Sequence, residues 1–578
     1  MFVLPLSLFV LAVVSLTPCS PQLVTSPMVT VEHGMVRGHT MRTPSGRMIY
    51  AFEGIPYAKP PVGDRRFKEP HYRTKPWLGV WDATRPGSLC LQYDHMTYLE
   101  EEPIIGDEDC LYLNVYTPEL PTGFVSLNPK DVIVYIHGGC FTFGGGHVFK
   151  PTYLLERDVI YVSINYRLGP LGFLSTEDDI VPGNMGLKDQ VMALQWIQKN
   201  IAAFGGNAGS VTIAGMSAGG ASVHYHYLSQ RSVGLFHKGI SMSGSATLPW
   251  AQTEEPASKA RTLASALGCP VAPNWDMVKC LRKRPARRIV ALLRTPLFMP
   301  WHFNPTTPFG PVQERVGMTP FLSQHPFDIL RMNHVQPRPW LVSVTSEEGL
   351  YPAANFVANA TLLAEIEQNW LNIAPALLDY NYTVLPHRRD ETSMKIKQFY
   401  MKGQPISRPT VAPFIQMAGD RLFVVETERS ARMQAAARLA PVYFYKFSYR
   451  GKHSLSELVS GGSTENFGVS HGDDLGYVVG VKYINPTEIE SDRRMNKLMV
   501  DMWINFAKTG KPVFGASDWV PVSPIAGTSG PLNYLHITSP DQAKTESSTD
   551  LGNKAFWDSL PLNEPPNMFA GPGRHTEF

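Results

Sequence analysis

Residues 211–228 read VTIAGMSAGGASVHYHYL and place Ser217 between Gly215 and Gly219. An apolar, β-branched run precedes the glycines and a helix-like run follows them. A strand, a sharp turn and a helix form the context in which Gly-x-Ser-x-Gly presents a nucleophilic serine at a sheet edge. A side chain at either glycine would clash with the strand or the helix. The N-terminus of the predicted helix also favours negative charge beside Ser217. The alternative is an ordinary glycine-rich turn with an incidental serine.

Apolar runs of this kind recur along the chain, and helix-like segments separate several of them. The runs begin at Val132, Val159, Val211, Leu341, Val442 and Leu532, and helix-like segments follow Asn184 and Arg494. Alternating strands and helices predict a mostly parallel sheet covered by helices. The Val/Ile character of the runs indicates burial on both faces. We therefore predict one large α/β domain with long insertions between its strands.

The composition and the N-terminus indicate a secreted globular protein. The chain has 578 residues, 43% of them hydrophobic, with a net charge of +2 and dispersed Lys and Arg, so no nucleic-acid partner is expected. Its first segment, MFVLPLSLFVLAVVSLTPCS, is typical of a signal peptide, the alternative being a buried helix. No later stretch is apolar enough to be a transmembrane segment. We predict a signal peptide over residues 1–20 and one domain over residues 21–578.

Cysteines and glycosylation sequons agree with an extracellular route. Five cysteines follow the predicted signal peptide: Cys90, Cys110, Cys140, Cys269 and Cys280. Two short separations suggest two local disulfide loops with Cys140 left over, but spacing alone does not prove connectivity. An oxidising compartment permits such bonds. Asn-x-Thr sequons are present at Asn359 and Asn381.

A nucleophilic serine needs hydrogen-bond donors for the oxyanion and a base oriented by an acid. The glycine-rich segment YIHGGCFTFGGG, residues 135–146, follows a predicted strand and offers backbone donors. Glu347 and Glu348 end another strand in SVTSEEG, and His471 lies between glycines in GVSHGDDL. This order of serine, acid and histidine fits the strand–turn–helix nucleophile. The alternatives are a flexible loop, a solvated acidic pair and a structural histidine.

Further motifs resemble the type-B carboxylesterase and cholinesterase family of α/β-hydrolases over nearly the whole mature chain. They are FEGIPYAKPPVGDRRFKEP from Phe52, EDCLYLNVYTP from Glu108, NYRLGPLGFLS from Asn165, GNMGLKDQ from Gly183 and FGGN from Phe204. The resemblance implies the α/β-hydrolase fold, a small-molecule ester as substrate, and no metal or organic cofactor. It also implies that Ser217 is the nucleophile, Glu348 the orienting acid and His471 the base.

The same resemblance assigns the oxyanion donors and the disulfides. The donors are the N–H groups of Gly139, Cys140 and Ala218, and the disulfides are Cys90–Cys110 and Cys269–Cys280. The family usually has glycine or alanine at the place of Cys140.

Departures from the family pattern narrow the expected activity. The first cysteine loop lacks the tryptophan that binds choline in cholinesterases, and Met216 stands where juvenile hormone esterases typically have glutamine. The chain is most similar to secreted insect carboxylesterases, including venom forms. We predict a secreted serine carboxylesterase that forms an acyl-enzyme. The alternatives are a dedicated hormone or pheromone esterase and a non-catalytic adhesive relative, and the oligomeric state stays open.

The C-terminus RHTEF is similar to a lumenal retention signal but ends in Phe578 instead of leucine. Secretion is therefore the prediction, with lumenal retention as its alternative.

Overall fold

The computed structural model describes residues 26–95, 103–123, 127–302, 304–315, 319–524, 530–562 and 564. The predicted signal peptide and the C-terminal RHTEF lie outside these residues. The strands are β1 (Met28–Val31), β2 (Gly34–Arg37), β3 (His39–Arg42), β4 (Met48–Pro56), β5 (Val80–Asp82), β6 (Gln92–Tyr93), β7 (Ile104–Ile105), β8 (Tyr112–Thr117), β9 (Lys130–Ile136), β10 (Ile160–Ile164), β11 (Gly206–Met216), β12 (Lys238–Met242), β13 (Trp340–Thr345), β14 (Val442–Phe447), β15 (Leu532–Ser539) and β16 (Gln542–Ser548).

The α-helices lie mainly between and after the central strands. They are α1 (Gly169–Phe173), α2 (Met185–Asn200), α3 (Ala218–Leu228), α4 (Pro256–Ala266), α5 (Asn274–Lys283), α6 (Ala286–Ala291), α7 (Pro326–Arg331), α8 (Leu350–Val357), α9 (Ala360–Gln368), α10 (Trp370–Leu377), α11 (Arg389–Met401), α12 (Val411–Gly419), α13 (Val425–Ala436), α14 (Leu455–Val459), α15 (Glu490–Thr509) and α16 (Lys554–Asp558).

A mixed sheet organises the fold. Its strand order in the described residues is β16-β15-β14-β13-β12-β11-β9-β10-β8-β4-β3. The strands from β15 to β10 in this order pair in parallel, whereas β16 at one edge and β8, β4 and β3 at the other pair antiparallel. The predicted α/β fold with a large, mostly parallel central sheet is confirmed. The strand β12 was not among the predicted runs, because its sequence KGISM contains Lys, Gly and Ser among its five residues.

The sheet divides the apolar core in two. Along β9, Val132, Val134 and Ile136 belong to one buried cluster, whereas Ile133 and Tyr135 belong to another. Successive side chains of a strand point to opposite faces, so both faces of β9 are covered. This burial explains why the central strands read as continuous apolar runs instead of alternating ones.

Parallel pairing brings the candidate functional segments to one edge. The strands β9, β11 and β13 run parallel within the sheet, and their carboxyl ends precede residues 137–146, Ser217 and residues 346–349. Ligand sites in such sheets lie outside the carboxyl ends of the strands. The topology therefore places the glycine-rich loop, the serine turn and the acidic pair at the same side of the molecule.

Within the described residues, two disulfides, Cys90–Cys110 and Cys269–Cys280, close local loops, and Cys140 is buried and not disulfide-bonded. This pairing agrees with the one that the sequence suggested. Among the residues that the structure describes, none of the helices combines the length and apolarity required to traverse a lipid bilayer.

Candidate active site

Ser217 occupies a strained turn between β11 and α3. Its φ of 60° and ψ of −125° are disfavoured for a residue with a side chain. A Cβ at Gly215 would lie 2.4 Å from the carbonyl carbon of Gly219, and one at Gly219 would lie 2.0 Å from the Ile136 oxygen. Both flanking positions therefore require glycine, as the sequence predicted.

Backbone hydrogen bonds connect Ser217 to the sheet and to α3. The Ser217 N–H donates a hydrogen bond to the Met242 carbonyl at the end of β12, at 2.8 Å. The Ser217 carbonyl accepts from Ala221 N at 2.9 Å within α3. These bonds hold the backbone in its strained conformation, and the Ser217 residue exposes only 4% of its surface.

The glycine-rich loop after β9 packs directly against this turn. A Cβ at Gly138 would lie 3.1 Å from Ser217 Cβ and 2.5 Å from the Met216 oxygen. Gly139 and Cys140 have φ values of 104° and 52°. Among the described residues, the N–H groups of Gly139, Cys140 and Ala218 donate to no other group. Three backbone donors are thus available beside the serine.

His471 and Glu348 form a buried pair. The Nδ1 atom of His471 lies 2.7 Å from Glu348 Oε2, and the two residues expose 2% and 1% of their surfaces. The other carboxylate oxygen, Glu348 Oε1, accepts from Ser243 Oγ at 2.5 Å and from Thr345 N at 2.7 Å. These three contacts fix the orientation of the carboxylate and, through it, of the imidazole.

The second ring nitrogen of His471 is available to accept a proton. Its Nε2 atom is buried and has no hydrogen-bond partner among the described residues. The ring packs between Phe423, with centroids 4.3 Å apart, and Tyr351, with centroids 5.5 Å apart. Phe423 lies in a π-helical turn, Asp420–Val424, a local irregularity that is frequent at functional sites.

Cys140 takes part in a hydrogen-bond chain at the edge of the site. Its Sγ lies 3.3 Å from Tyr351 Oη, which lies 3.0 Å from His95 Nε2. Burial lowers the pKa of His95 to about 4, so its ring is neutral at neutral pH. In the tautomer protonated at Nδ1, Nε2 accepts from the Tyr351 hydroxyl, whose oxygen then accepts from the thiol. Burial also raises the pKa of the Cys140 thiol.

A narrow cavity lies beside Ser217 and the glycine-rich loop. Most of its wall is apolar, and Trp250, Leu422 and Phe423 contribute to it together with Ser217 and other residues. Ser217, Cys140 and Tyr351 all line the cavity, so a bound molecule would touch the serine and the glycine-rich loop at once.

The structure brings every predicted catalytic and oxyanion residue to this one region, and adds residues that sequence reasoning missed. Ser243 supports Glu348, while Tyr351 and Phe423 enclose the imidazole. The only local signal for Ser243 is the small-residue segment SMSGSA, residues 241–246, at the end of β12, and that strand was itself missed. Tyr351 follows Glu348 by three residues, but nothing in the sequence indicates that its hydroxyl meets Cys140.

Comparisons with known proteins identify the family to which the chain belongs. Residues 25–557 match the sequence model of the Carboxylesterase family. The chain is 44% identical to Venom carboxylesterase-6 of Apis mellifera over 93% of this chain and 95% of that protein. It is 34% identical to the Juvenile hormone esterase of Tribolium castaneum over 93% and 94%. The crystal structure of Juvenile hormone esterase from Manduca sexta, with OTFP covalently attached, aligns with a TM-score of 0.79 at 28% identity, covering 92% of this chain and 99% of that one. The chain therefore belongs to the carboxylesterase family and is a carboxylic ester hydrolase with the α/β-hydrolase fold.

Proposed function

We propose that the protein hydrolyses carboxylic esters by nucleophilic attack of Ser217, with His471 as the general base and Glu348 as the acid that orients it. The observation that carries this proposal is the 2.7 Å contact between His471 Nδ1 and Glu348 Oε2. It leaves the buried Nε2 atom without a hydrogen-bond partner in the described part of the chain, and the rings of Phe423 and Tyr351, which contact His471, also line the cavity beside Ser217. In structures without substrate such a base–nucleophile contact is often long and tightens in the complex.

The chemistry follows from these positions. As Ser217 Oγ bonds to the ester carbonyl carbon, its proton passes to His471 Nε2, and the carbonyl oxygen becomes an oxyanion. When the intermediate collapses, the bond to the alcohol oxygen breaks and the imidazolium protonates the leaving alcohol. A water molecule then repeats the sequence on the acyl-enzyme, which releases the carboxylic acid and restores the serine.

The oxyanion is assigned to the N–H groups of Gly139, Cys140 and Ala218. None of the three N–H groups donates to another described residue, which supports this role, because a donor already bonded within the protein would have to be released first. Preorganised backbone donors of this kind typically supply the largest electrostatic contribution to acyl transfer. The positive φ values of Gly139 and Cys140 turn the loop so that successive amides are available.

We also propose that the protein is secreted, with residues 1–20 removed, residues 21–578 retained, and glycans at Asn359 and Asn381. Two disulfides in the structure support an oxidising compartment. Asn359 is exposed at the start of α9, where its Oδ1 accepts from Thr361 N. A similar protein bears the name Venom carboxylesterase-6.

Labelling with diethyl 4-nitrophenyl phosphate tests the proposed nucleophile. We expect one phosphoryl group per protein, attached to Ser217, with one equivalent of 4-nitrophenolate released and ester hydrolysis abolished. Peptide mass spectrometry locates the adduct, and Ser217→Ala serves as the unlabelled control. Hydrolysis that persists when Ser217 is fully labelled, or that is abolished when only another residue is labelled, would rule out Ser217 as the nucleophile.

A second prediction concerns Cys140, where the backbone and not the thiol is proposed to act. Cys140→Ala is expected to reduce kcat far less than the roughly 10²–10³-fold loss that removal of an oxyanion donor causes. Methyl methanethiosulfonate is expected to inactivate the wild type slowly, because burial raises the pKa of the thiol and only the thiolate reacts. A bound substrate should protect the wild type.

The Cys140→Ala variant is itself the control for this reagent, since it should resist inactivation. Ester hydrolysis during exposure to the reagent gives the rate, and mass spectrometry identifies the modified residue. A folded Cys140→Ala variant whose kcat falls by several orders of magnitude would contradict the assignment to the backbone.

A further inference from the structure

One segment concentrates positive charge that is dispersed along the rest of the chain. Residues 277–313 contain seven Lys and Arg residues and no Asp or Glu. Five of the seven lie in the run RKRPARR, residues 282–288, whereas the whole chain has a net charge of only +2. Short runs rich in Lys and Arg are typical of surfaces that bind polyanions. The run covers the end of α5, a turn and the start of α6, so the packing of these helices decides which cations are available.

The fold uses some of these cations and leaves others at the surface. The side chains of Arg282, Arg284 and Arg287 each donate a hydrogen bond to a backbone carbonyl of another segment. These three therefore connect the helices to their surroundings. Three further cations are exposed: Lys279, Lys283 and Arg288. In the described part of the chain, no residue forms a hydrogen bond or an ion pair with these three side chains.

Capping of α5 does not account for its exposed lysines. Cations near a helix C-terminus offset the helix dipole and can bind the last carbonyl groups. In α5 the side chain that binds them is Arg66. Its Nη1 atom donates to the carbonyls of Leu281, Arg282 and Arg284, at 3.2, 3.1 and 2.6 Å. The carbonyl groups at this helix end are thus satisfied without the lysines.

The two lysines share one side of α5 with an exposed tryptophan. Trp275, Lys279 and Lys283 are four residues apart, a spacing that places them next to one another on a helix surface. Trp275 exposes 56% of its surface, so its ring lies open to solvent beside two ammonium groups. The opposite side of the helix is buried and consists of Met277, Val278 and Leu281.

These features indicate the chemistry of the ligand. Lysine and arginine bind anionic oxygens through charge-assisted hydrogen bonds, and an exposed tryptophan offers a flat apolar surface on which a sugar ring can pack. A helix that lies in a membrane surface must insert its apolar side, but that side of α5 is buried in the core. The surface therefore fits a soluble anionic polymer that contains sugar rings.

We propose that Trp275, Lys279, Lys283 and Arg288, here called the basic face, bind a sulfated polysaccharide. The sulfate groups bind to the three cations, and a sugar ring packs on Trp275. The proposed secretion would bring the protein to the compartment in which such polymers occur. None of the four residues lines the cavity beside Ser217, so the bound polymer would retain the enzyme without blocking ester hydrolysis.

Calorimetric titration of the full-length protein with a heparin oligosaccharide of defined length tests this proposal. The Kd is expected to rise steeply with NaCl concentration, because binding releases counterions from the polymer. The triple variant Lys279→Gln/Lys283→Gln/Arg288→Gln should bind on the order of 10-fold more weakly, since exposed ion pairs each contribute a factor of about 1.5 to 5. Its salt dependence should also be smaller. Trp275→Ala should weaken binding and keep the salt dependence.

The triple variant Lys497→Gln/Lys508→Gln/Lys511→Gln is the matched control. These lysines are exposed in or just after α15, and no described residue forms an ion pair with them. The buried residues of α15 and of α5 belong to the two separate apolar clusters on either side of the sheet. The control removes the same charge from another surface, so it should bind heparin like the wild type. Both triple variants should hydrolyse 4-nitrophenyl butanoate at the wild-type rate, which shows that they are folded.

The other outcomes overturn the proposal. An equal loss of binding in both triple variants would show attraction by net charge instead of a defined surface. Equal affinity for hyaluronan, which has carboxylates but no sulfates, or for a DNA duplex would reject selectivity for sulfated sugars. Binding to phosphatidylserine vesicles but not to heparin would assign the basic face to membranes. No heparin binding at low salt would reject the surface altogether. Labelling of Ser217 is measured separately, so failure of the proposed function would leave this test unaffected.

Discussion

Ser217→Ala and His471→Ala are each expected to lower kcat by roughly a million-fold, the loss seen when either member of a serine–histidine pair is removed from a hydrolase. Without Ser217 Oγ no acyl-enzyme forms, and without His471 Nε2 the serine proton has no acceptor. The two groups act in one step, so the double variant should be about as active as either single one. Release of 4-nitrophenol from 4-nitrophenyl butanoate measures these rates.

Ser222→Ala is the matched control for the serine. Ser222 is also buried in α3, but its Oγ donates to the Ala218 carbonyl at 2.8 Å and accepts from Gln190 Nε2 at 3.1 Å. Its loss should change stability and leave the order of magnitude of kcat unaltered. A double Ser217/His471 variant much less active than both single variants would contradict the shared step, because independent roles add in free energy.

Glu348→Gln is expected to lower kcat on the order of 10⁴-fold, as neutralising the acid of a triad does elsewhere. The amide cannot stabilise the imidazolium, and its NH₂ group can face His471 Nδ1 and so favour the wrong tautomer. The contacts from Ser243 and Thr345 to the other oxygen should keep the side chain in place, so the loss is electrostatic. Steady-state kinetics with an unchanged unfolding midpoint would show this.

The neighbouring Glu347 provides the control for this acid. Its Oε2 accepts from Val469 N at 2.7 Å and from Ser346 Oγ at 2.6 Å, which ties it to the loop before His471. Glu347→Gln should therefore affect the stability of that loop far more than kcat. If Glu347→Gln caused the larger loss in kcat, the assignment of the acid to Glu348 would be wrong.

Much of the site could be predicted because its backbone conformations are encoded locally. Gly215 and Gly219 are required by contacts with residues close to them in the turn or on the adjacent strand, and the apolar runs before and after Ser217 predict the strand and helix that flank it. The choice of His471 among seventeen histidines rested on its glycine-flanked loop and on the family resemblance. The choice of Glu348 over Glu347 rested on that resemblance alone.

The central strands of the fold could also be predicted, because their apolar character is a local property of the sequence. All six predicted apolar runs form strands, namely β9, β10, β11, β13, β14 and β15, since strands buried on both faces carry a strong sequence signal. The short strand β12 has a weak signal, and its place beside β11 is set by pairing with two neighbours. The antiparallel edge strands likewise depend on partners that periodicity does not identify.

The sequence by itself determined the strand–turn–helix at Ser217, the α/β class and the identity of the candidate triad, because each depends on short-range backbone rules or on a motif. Only the tertiary structure decided the contacts between distant segments: Ser243 with Glu348, 105 residues apart, and Tyr351 with Cys140, 211 residues apart. Such contacts follow from sheet order and helix packing, and no local pattern encodes them.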